Sequence, residues 1–319
     1  MFLYLYKKAL HKPGTNMKKT CIIITGPTAV GKTSISIQLA KHYHTSIISA
    51  DSRQCYKEMN IGVAKPSEAQ LREVKHYFIN SHSITEDVNA ADFEQYALTS
   101  AAEIFTKNDI AIMVGGTGLY IKAFCQGLDN IPSIDPQIRQ QIISDYETKG
   151  LDWLQLEVKE NDPRFFAEGE MQNPQRMMRA LEVKLSTGIS IREFQQGKKA
   201  TRDYNIIIIE LELPKELLHQ QINQRVDDMM KQGLLEEVII LYSKRSLNAL
   251  QTVGYSELFR YLDKEILLNE AVELIKRNTR HYAKRQITWF KKFGNSFIID
   301  PRESTRIFSA VEQKLQDTA

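Results

Sequence analysis

The chain has 319 residues, 42% of them hydrophobic and 25% charged, and a net charge of +3 at pH 7. That is the make-up of an ordinary globular protein; it excludes a low-complexity or highly charged chain and leaves room only for a local basic face. No apolar run approaches the roughly 18 residues that span a membrane. Three cysteines (Cys21, Cys55 and Cys125), odd in number and without metal-ligand spacing, predict a reduced, cytoplasmic protein with no disulfide framework.

Met1-Phe2-Leu3-Tyr4-Leu5-Tyr6 is short and lacks a basic residue before it, so it is a poor signal peptide. Met17-Lys18-Lys19-Thr20 leads straight into an apolar run, and residues 1–16 are expected to be a disordered extension. Cys21–Thr25 reads as a buried strand. Gly26-Pro27-Thr28-Ala29-Val30-Gly31-Lys32-Thr33 follows it and fits G-x-x-x-x-G-K-[ST], and Ser34–Ala40 then has helical spacing. Strand, glycine loop and helix together make a phosphate cradle: backbone N–H groups close on an anion at the helix N-terminus, Lys32 adds a charge, and the Thr33 hydroxyl can ligate Mg2+.

Further strands are expected at Ser46–Ala50, Ile110–Val114, Tyr204–Leu213 and Ser296–Asp300, alternating with helical segments. The pattern predicts an α/β fold, a P-loop NTPase-like parallel sheet with helices on both faces. From about 129 to 200 the strands stop, and a charged, amphipathic stretch entered through Pro132 and Pro136 reads as an all-helical insertion domain. The core is then 17–128 with 201–319.

Five other stretches carry chemistry. Asp51, in Asp51-Ser52-Arg53-Gln54, ends the second strand beside the phosphate loop; it suits a general base or metal ligand, the alternative being a helix N-cap. The third strand ends in Gly115-Gly116-Thr117-Gly118 where an ATPase would carry a Walker B acid, which argues against a motor or switch NTPase. Arg176 and Arg179, three apart, share a helix face that suits phosphates or plain solvation, and Arg225 alone reads as a surface residue. Near the C-terminus Ile275, Thr279, Tyr282, Gln286, Trp289 and Phe293 form a core-facing stripe. The other side holds Arg277, Arg280, His281, Lys284, Arg285, Lys291 and Lys292, a solvated face or a nucleic-acid contact.

In combination these stretches resemble the bacterial tRNA dimethylallyltransferases (tRNA isopentenyltransferases). The matching segments are GPTAVGKT (26–33), SADSRQCY (49–56), IGVAKP (61–66), VGGTGLY (114–120) and GLDNIPSIDPQIR (127–139), then NPQRMMRALEV (173–183), RVDDMM (225–230), GLLEEV (233–238), TVGYSEL (252–258) and AKRQITWF (283–290). They run in family order from about 20 to 293, and DSRQ with AKRQITWF in one chain is far more specific than the phosphate loop alone. The resemblance implies transfer of a dimethylallyl group from dimethylallyl diphosphate to N6 of the adenosine 3′ of the anticodon in tRNA, with Mg2+, by a monomer. It implies that Gly26 to Thr33, Lys32 and Arg225 hold the diphosphate, that Thr33 ligates Mg2+, that Asp51 takes the N6 proton, and that Thr117 aligns the substrates. It assigns tRNA contact to Asp51, Ser52, Arg53, Gln54, Thr117, Arg139, Gln175, Arg176, Met177, Met178, Arg179, Lys284 and Arg285. Asn173 stands where relatives often have Asp, which puts any charge-dependent role there in doubt, and Val30 replaces a frequent Ser at a position that supplies backbone. An ATP-dependent small-molecule kinase would share the loop and Asp51 but leaves the insertion and the basic helix unexplained. An adenylate isopentenyltransferase would need neither the basic helix nor QRMMR, and a non-enzymatic RNA-binding module would not need the loop.

Overall fold

The computed structural model describes residues 18–132, 134–197, 199–294 and 296–317. The expected disordered extension, 1–16, lies outside the described residues. In chain order the elements are β1 (Thr20–Thr25), α1 (Lys32–His42), β2 (Ile47–Ala50), α2 (Glu68–Glu73), β3 (His76–Tyr77), α3 (Ala90–Phe105), β4 (Ile110–Gly115) and α4 (Gly118–Gln126). The insertion supplies α5 (Pro136–Asn161), α6 (Pro163–Glu168), α7 (Pro174–Thr187) and α8 (Ile191–Phe194). The chain returns through β5 (Asn205–Leu211), α9 (Lys215–Lys231), α10 (Leu234–Leu241), α11 (Tyr255–Leu262), α12 (Leu268–Lys291), β6 (Ser296–Ile299) and α13 (Ser304–Asp317).

Residues 18–125 and 202–317 form one compact unit around a six-stranded sheet in the order β3-β2-β4-β1-β5-β6. Every pairing is parallel, as crossover helices require. The two-residue β3 escaped the sequence because it has no apolar run of its own; it exists by pairing with Ile47 and Ile48. Central β1 is buried along its whole length and feeds both faces alternately. Cys21 and Ile23 pack into one core with Phe93, Phe124 and Tyr255, while Ile22 and Ile24 enter the other with Leu39, Ile222 and Val311. No helix among the described residues is long and apolar enough to cross a membrane.

Residues 126–201 form a second compact unit, made of helices only, against 129–200 read from the sequence. Its core joins Ile142, Leu154 and Val158 of α5 to Met177, Leu181 and Val183 of α7. Asn173 is the N-cap of α7, its side-chain oxygen accepting the Arg176 N–H at 3.2 Å. Asn and Asp cap equally well, so the departure from the usual Asp leaves this role intact.

Candidate active site

Parallel pairing brings the loops of the first unit together. β1 and β4 run side by side with Ile24 opposite Val114, and β2 and β4 with Ala50 opposite Gly115. The phosphate loop, Asp51 and the Gly115–Gly118 turn therefore emerge at one edge, at the C-terminal ends of the strands, where open α/β sheets bind ligands. Gly31 caps α1 with φ of 99°, a left-handed conformation that glycine adopts without strain and that turns the loop's N–H groups inward.

Lys32 Nζ donates to the loop's own carbonyls, Gly26 O at 3.0 Å and Pro27 O at 2.8 Å. Burial, reinforced by the positive charge of Arg225 and offset by Asp51, pushes this ammonium down to about 7. Arg225, which alone reads as a surface residue, instead lies half-buried on α9 and aims at the loop, its Nη1 donating to Thr28 Oγ1 at 3.4 Å. Desolvation lowers its pKa as well. Two desolvated cations with no carboxylate ion pair between them form a site for a polyanion.

Asp51 is both cap and candidate base. Its Oδ1 accepts the N–H groups of Arg53 at 2.9 Å and Gln54 at 3.3 Å, closing the turn after β2. Among the described residues Oδ2 makes no hydrogen bond. Thr117 Oγ1 accepts the Ser52 N–H at 3.1 Å and contacts Ser52 Oγ at 3.4 Å. Two cavities, of about 280 and about 250 Å3, share Thr28, Asp51, Val63, Ala64, Arg225 and Tyr282. The first is the phosphate side, with Lys32, Thr33 and Gly116. The second is lined by Ser52, Arg53, Met229, Val253 and Ile275, so its wall is more apolar. Tyr282 stands at their junction; burial and the negative charge of Asp51 raise its pKa to about 12, and its hydroxyl is hydrogen-bonded to Thr117.

Some expected site residues are occupied elsewhere. The amide of Gln54 faces inward, with Nε2 donating to Val63 O at 3.2 Å and Ala64 O at 3.1 Å. That ties down the 60–64 segment walling both cavities. Met177 and Met178, expected at an RNA surface, are corrected: they are 0% and 5% exposed, and their side chains fill the core of the helical unit. Period 3.6 turns them inward between their basic neighbours. Gln175 and Arg176 stay exposed on the same helix, and Arg179 is half-buried. Arg139 and Arg179 both lean on the buried Glu182 carboxylate, at 3.9 and 3.2 Å, and Arg176 pairs with Glu170.

On α12, Lys284 and Arg285 are exposed with Arg277, His281, Lys291 and Lys292, whereas Arg280 is held by Asn223 Oδ1 at 2.6 Å. The inward stripe contains more than core: Tyr282 lines the cavities, and Gln286 is buried against the phosphate loop. Sequence reasoning missed both, and also Glu237, whose carboxylate accepts the N–H groups of Asn60, Ile61 and Gly62 and the Tyr255 hydroxyl. The available signal was polarity: Gln286 interrupts an otherwise apolar stripe, and Glu237 sits one position from the buried Val238.

Thr33 and Asp51 line one cavity and offer oxygen ligands only, and the described residues contain no cluster of three or more His, Cys, Asp or Glu side chains. Mg2+ suits that set, since it is commonly held by one or two protein oxygens with water and substrate phosphates.

The model of the IPP transferase family matches residues 54–293. The chain is 47% identical over 302 residues to a tRNA dimethylallyltransferase of Flavobacterium psychrophilum, covering 92% of this chain and 98% of that one. It is 44% identical over 300 residues to the corresponding protein of Christiangramia forsetii, covering 94% and 99%. Among solved structures it resembles the tRNA isopentenylpyrophosphate transferase of Bacillus halodurans, with a TM-score of 0.69 and 34% identity over 94% of this chain and 98% of that one. A eukaryotic dimethylallyltransferase acting on tRNA gives a TM-score of 0.79 at 26% identity, over 94% of this chain and 80% of that one. With the phosphate loop, the carboxylate beside it and the acid-free glycine turn in place, these matches establish that the chain belongs to the IPP transferase family.

Proposed function

We propose that the chain transfers the dimethylallyl group of dimethylallyl diphosphate to N6 of the adenosine 3′-adjacent to the anticodon of tRNA, releasing diphosphate. The relatives' names, tRNA dimethylallyltransferase, support the reaction. The observation that carries it is the junction of the two cavities: desolvated Lys32 on the phosphate side, and desolvated Arg225 and the Asp51 carboxylate lining both.

In this reading the loop amides, Lys32 and Arg225 bind the diphosphate and stabilise the charge that grows on it as the allylic C–O bond breaks. Asp51, fixed through Oδ1, accepts a hydrogen bond from the N6 amine at Oδ2 and takes its proton as the N–C bond forms. The Thr117 hydroxyl, set by the Ser52 amide and by Tyr282, aligns the two substrates. Thr33 together with the diphosphate oxygens would hold Mg2+, which supplies further neutralisation of the leaving group. No phosphoryl group moves, so β4 needs no acid. A loop adenosine reaches such a recessed carboxylate by turning out of its stack into the cavity. The exposed cations of α12, with Lys284 and Arg285 foremost, and Arg139, Arg176 and Arg179 of the helical unit would contact the RNA backbone.

Purified protein incubated with dimethylallyl diphosphate, Mg2+ and undermodified tRNA should yield prenylated adenosine on nucleoside mass spectrometry. Prenylated AMP or ATP consumption with unmodified tRNA would reject the proposal.

A further inference from the structure

Gln286 is a buried amide that uses both of its ends. It is 6% exposed. Its Oε1 accepts the backbone N–H of Thr28, in the phosphate loop, at 2.8 Å. Its Nε2 donates to the carbonyl of Gly116, one residue before Thr117, at 2.9 Å. The two segments lie 88 residues apart in the chain (116 − 28) and belong to different loops; β1–β4 pairing brings them side by side, and this side chain bridges them beyond the last strand pair. The fit is tight: a Cβ at Gly116 would stand 2.1 Å from Gln286 Nε2. One turn earlier on the same helix, Tyr282 hydrogen-bonds Thr117. Because the Thr28 N–H is spent on Gln286, it is withdrawn from the amides available to an anion, and its contribution is to the shape of the loop.

We propose that Gln286 is a positioning residue for the transfer. It keeps the diphosphate-binding loop in register with the Thr117 turn and Asp51, so that the allylic carbon and the attacking nitrogen meet at bonding geometry. The inference rests on the prenyl-transfer reading above. Gln286 touches neither substrate in this account; it acts through the backbone at Thr28 and Gly116. Such an element affects the chemical step more than binding, and a displacement near 1 Å is worth about 10²-fold in rate.

The test is steady-state and single-turnover kinetics of Gln286→Met and Gln286→Glu on the full chain, with tRNA affinity and melting temperature measured alongside. Gln286→Met removes both hydrogen bonds at similar volume. It should fold with a Tm lower by several degrees, lose about 10²-fold in kcat, and keep KM for both substrates within threefold. Gln286→Glu retains the acceptor for Thr28 but, as a carboxylate, sets a second oxygen against the Gly116 carbonyl, so its kcat should fall at least as far as that of Gln286→Met. A folded variant with kcat within threefold of the parent overturns the inference, and so does a loss lying wholly in KM. If both variants fail to fold, the amide is a folding element and the positioning role is likewise overturned. A parent protein that does not prenylate tRNA is a separate outcome, which fails the functional proposal itself.

Discussion

Glu237 offers the sharpest local test of how the cavity wall is held. Its Oε2 accepts the N–H groups of Asn60 at 3.0 Å and Ile61 at 2.8 Å, and its Oε1 accepts Gly62 N–H at 3.0 Å and the Tyr255 hydroxyl at 2.6 Å. Four donors converge on one carboxylate, and the segment they fix continues into Val63 and Ala64, which line both cavities. In Glu237→Gln one oxygen becomes an NH2 group. With that group turned towards Tyr255, whose hydroxyl can rotate to accept, the Gly62 amide loses its acceptor and the other bonds lose their charge. A hydrogen bond to a charged group contributes about 1.5–3 kcal/mol, so losing one and weakening the rest should lower the local opening free energy by about 2–4 kcal/mol. At about 1.4 kcal/mol per tenfold, amide hydrogen exchange at 60–62 should accelerate by roughly 30- to 700-fold, with kcat/KM falling as the wall loosens. Exchange within threefold of the parent at those amides would refute the reasoning.

Three further outcomes follow from the site. Asp51→Asn keeps the Oδ1 acceptor for Arg53 and Gln54 but removes the base; single-turnover prenylation should fall by about 10²–10⁴ with tRNA affinity unchanged, and a loss of only a few-fold would exclude Asp51 as base. For Lys32, a folded value of about 7 against an ordinary 10.5 means that the unfolded chain binds more protons between those limits. Its burial penalty is therefore complete below pH 7 and fades as pH rises, so Lys32→Met should raise the ligand-free Tm more at pH 7 than at pH 9. Diphosphate binding at pH 8 should take up a proton in the parent and not in this variant, read by calorimetry in buffers of different ionisation heat. Gly118→Ala places a Cβ 2.2 Å from the Trp289 ring and should cost about 1–3 kcal/mol by overpacking, measured as a loss in thermal or urea stability.

Much of this was legible in the sequence because it is local. The strand, loop and helix around 20–42 are written in consecutive residues, and a run such as Ile206-Ile207-Ile208-Ile209 announces a buried parallel strand. What escaped depends on partners distant in the chain. Arg225 looks like a surface residue until the sheet order puts α9 beside the loop at Thr28. Gln54 looks like a contact residue in DSRQ until the 60–64 segment folds over it. Met177 and Met178 illustrate the reverse error: a motif carried over as a block includes residues whose helical phase buries them.

The missing acid at the end of β4 has a steric cause as well as a chemical one. A Cβ at Gly115 would lie 2.1 Å from Ala50 O, one at Gly116 would lie 2.1 Å from Gln286 Nε2, and Gly118 faces the Trp289 ring. An aspartate at 115 therefore has no room beside the backbone of β2, and one at 116 has none while α12 keeps its place. The glycines of VGGTG and the Gln286 and Trp289 of AKRQITWF are thus one feature divided between distant parts of the chain. An acid at 116 would require α12 to withdraw, and withdrawal would remove Tyr282 from Thr117 and Gln286 from Thr28. The helix that shapes the phosphate loop for a departing diphosphate is the same one whose outer face carries Lys284 and Arg285. On the proposed function, the end of β4 and the RNA-facing helix constrain each other, and substitutions at 116 and 118 should be tolerated only together with changes at 286 and 289.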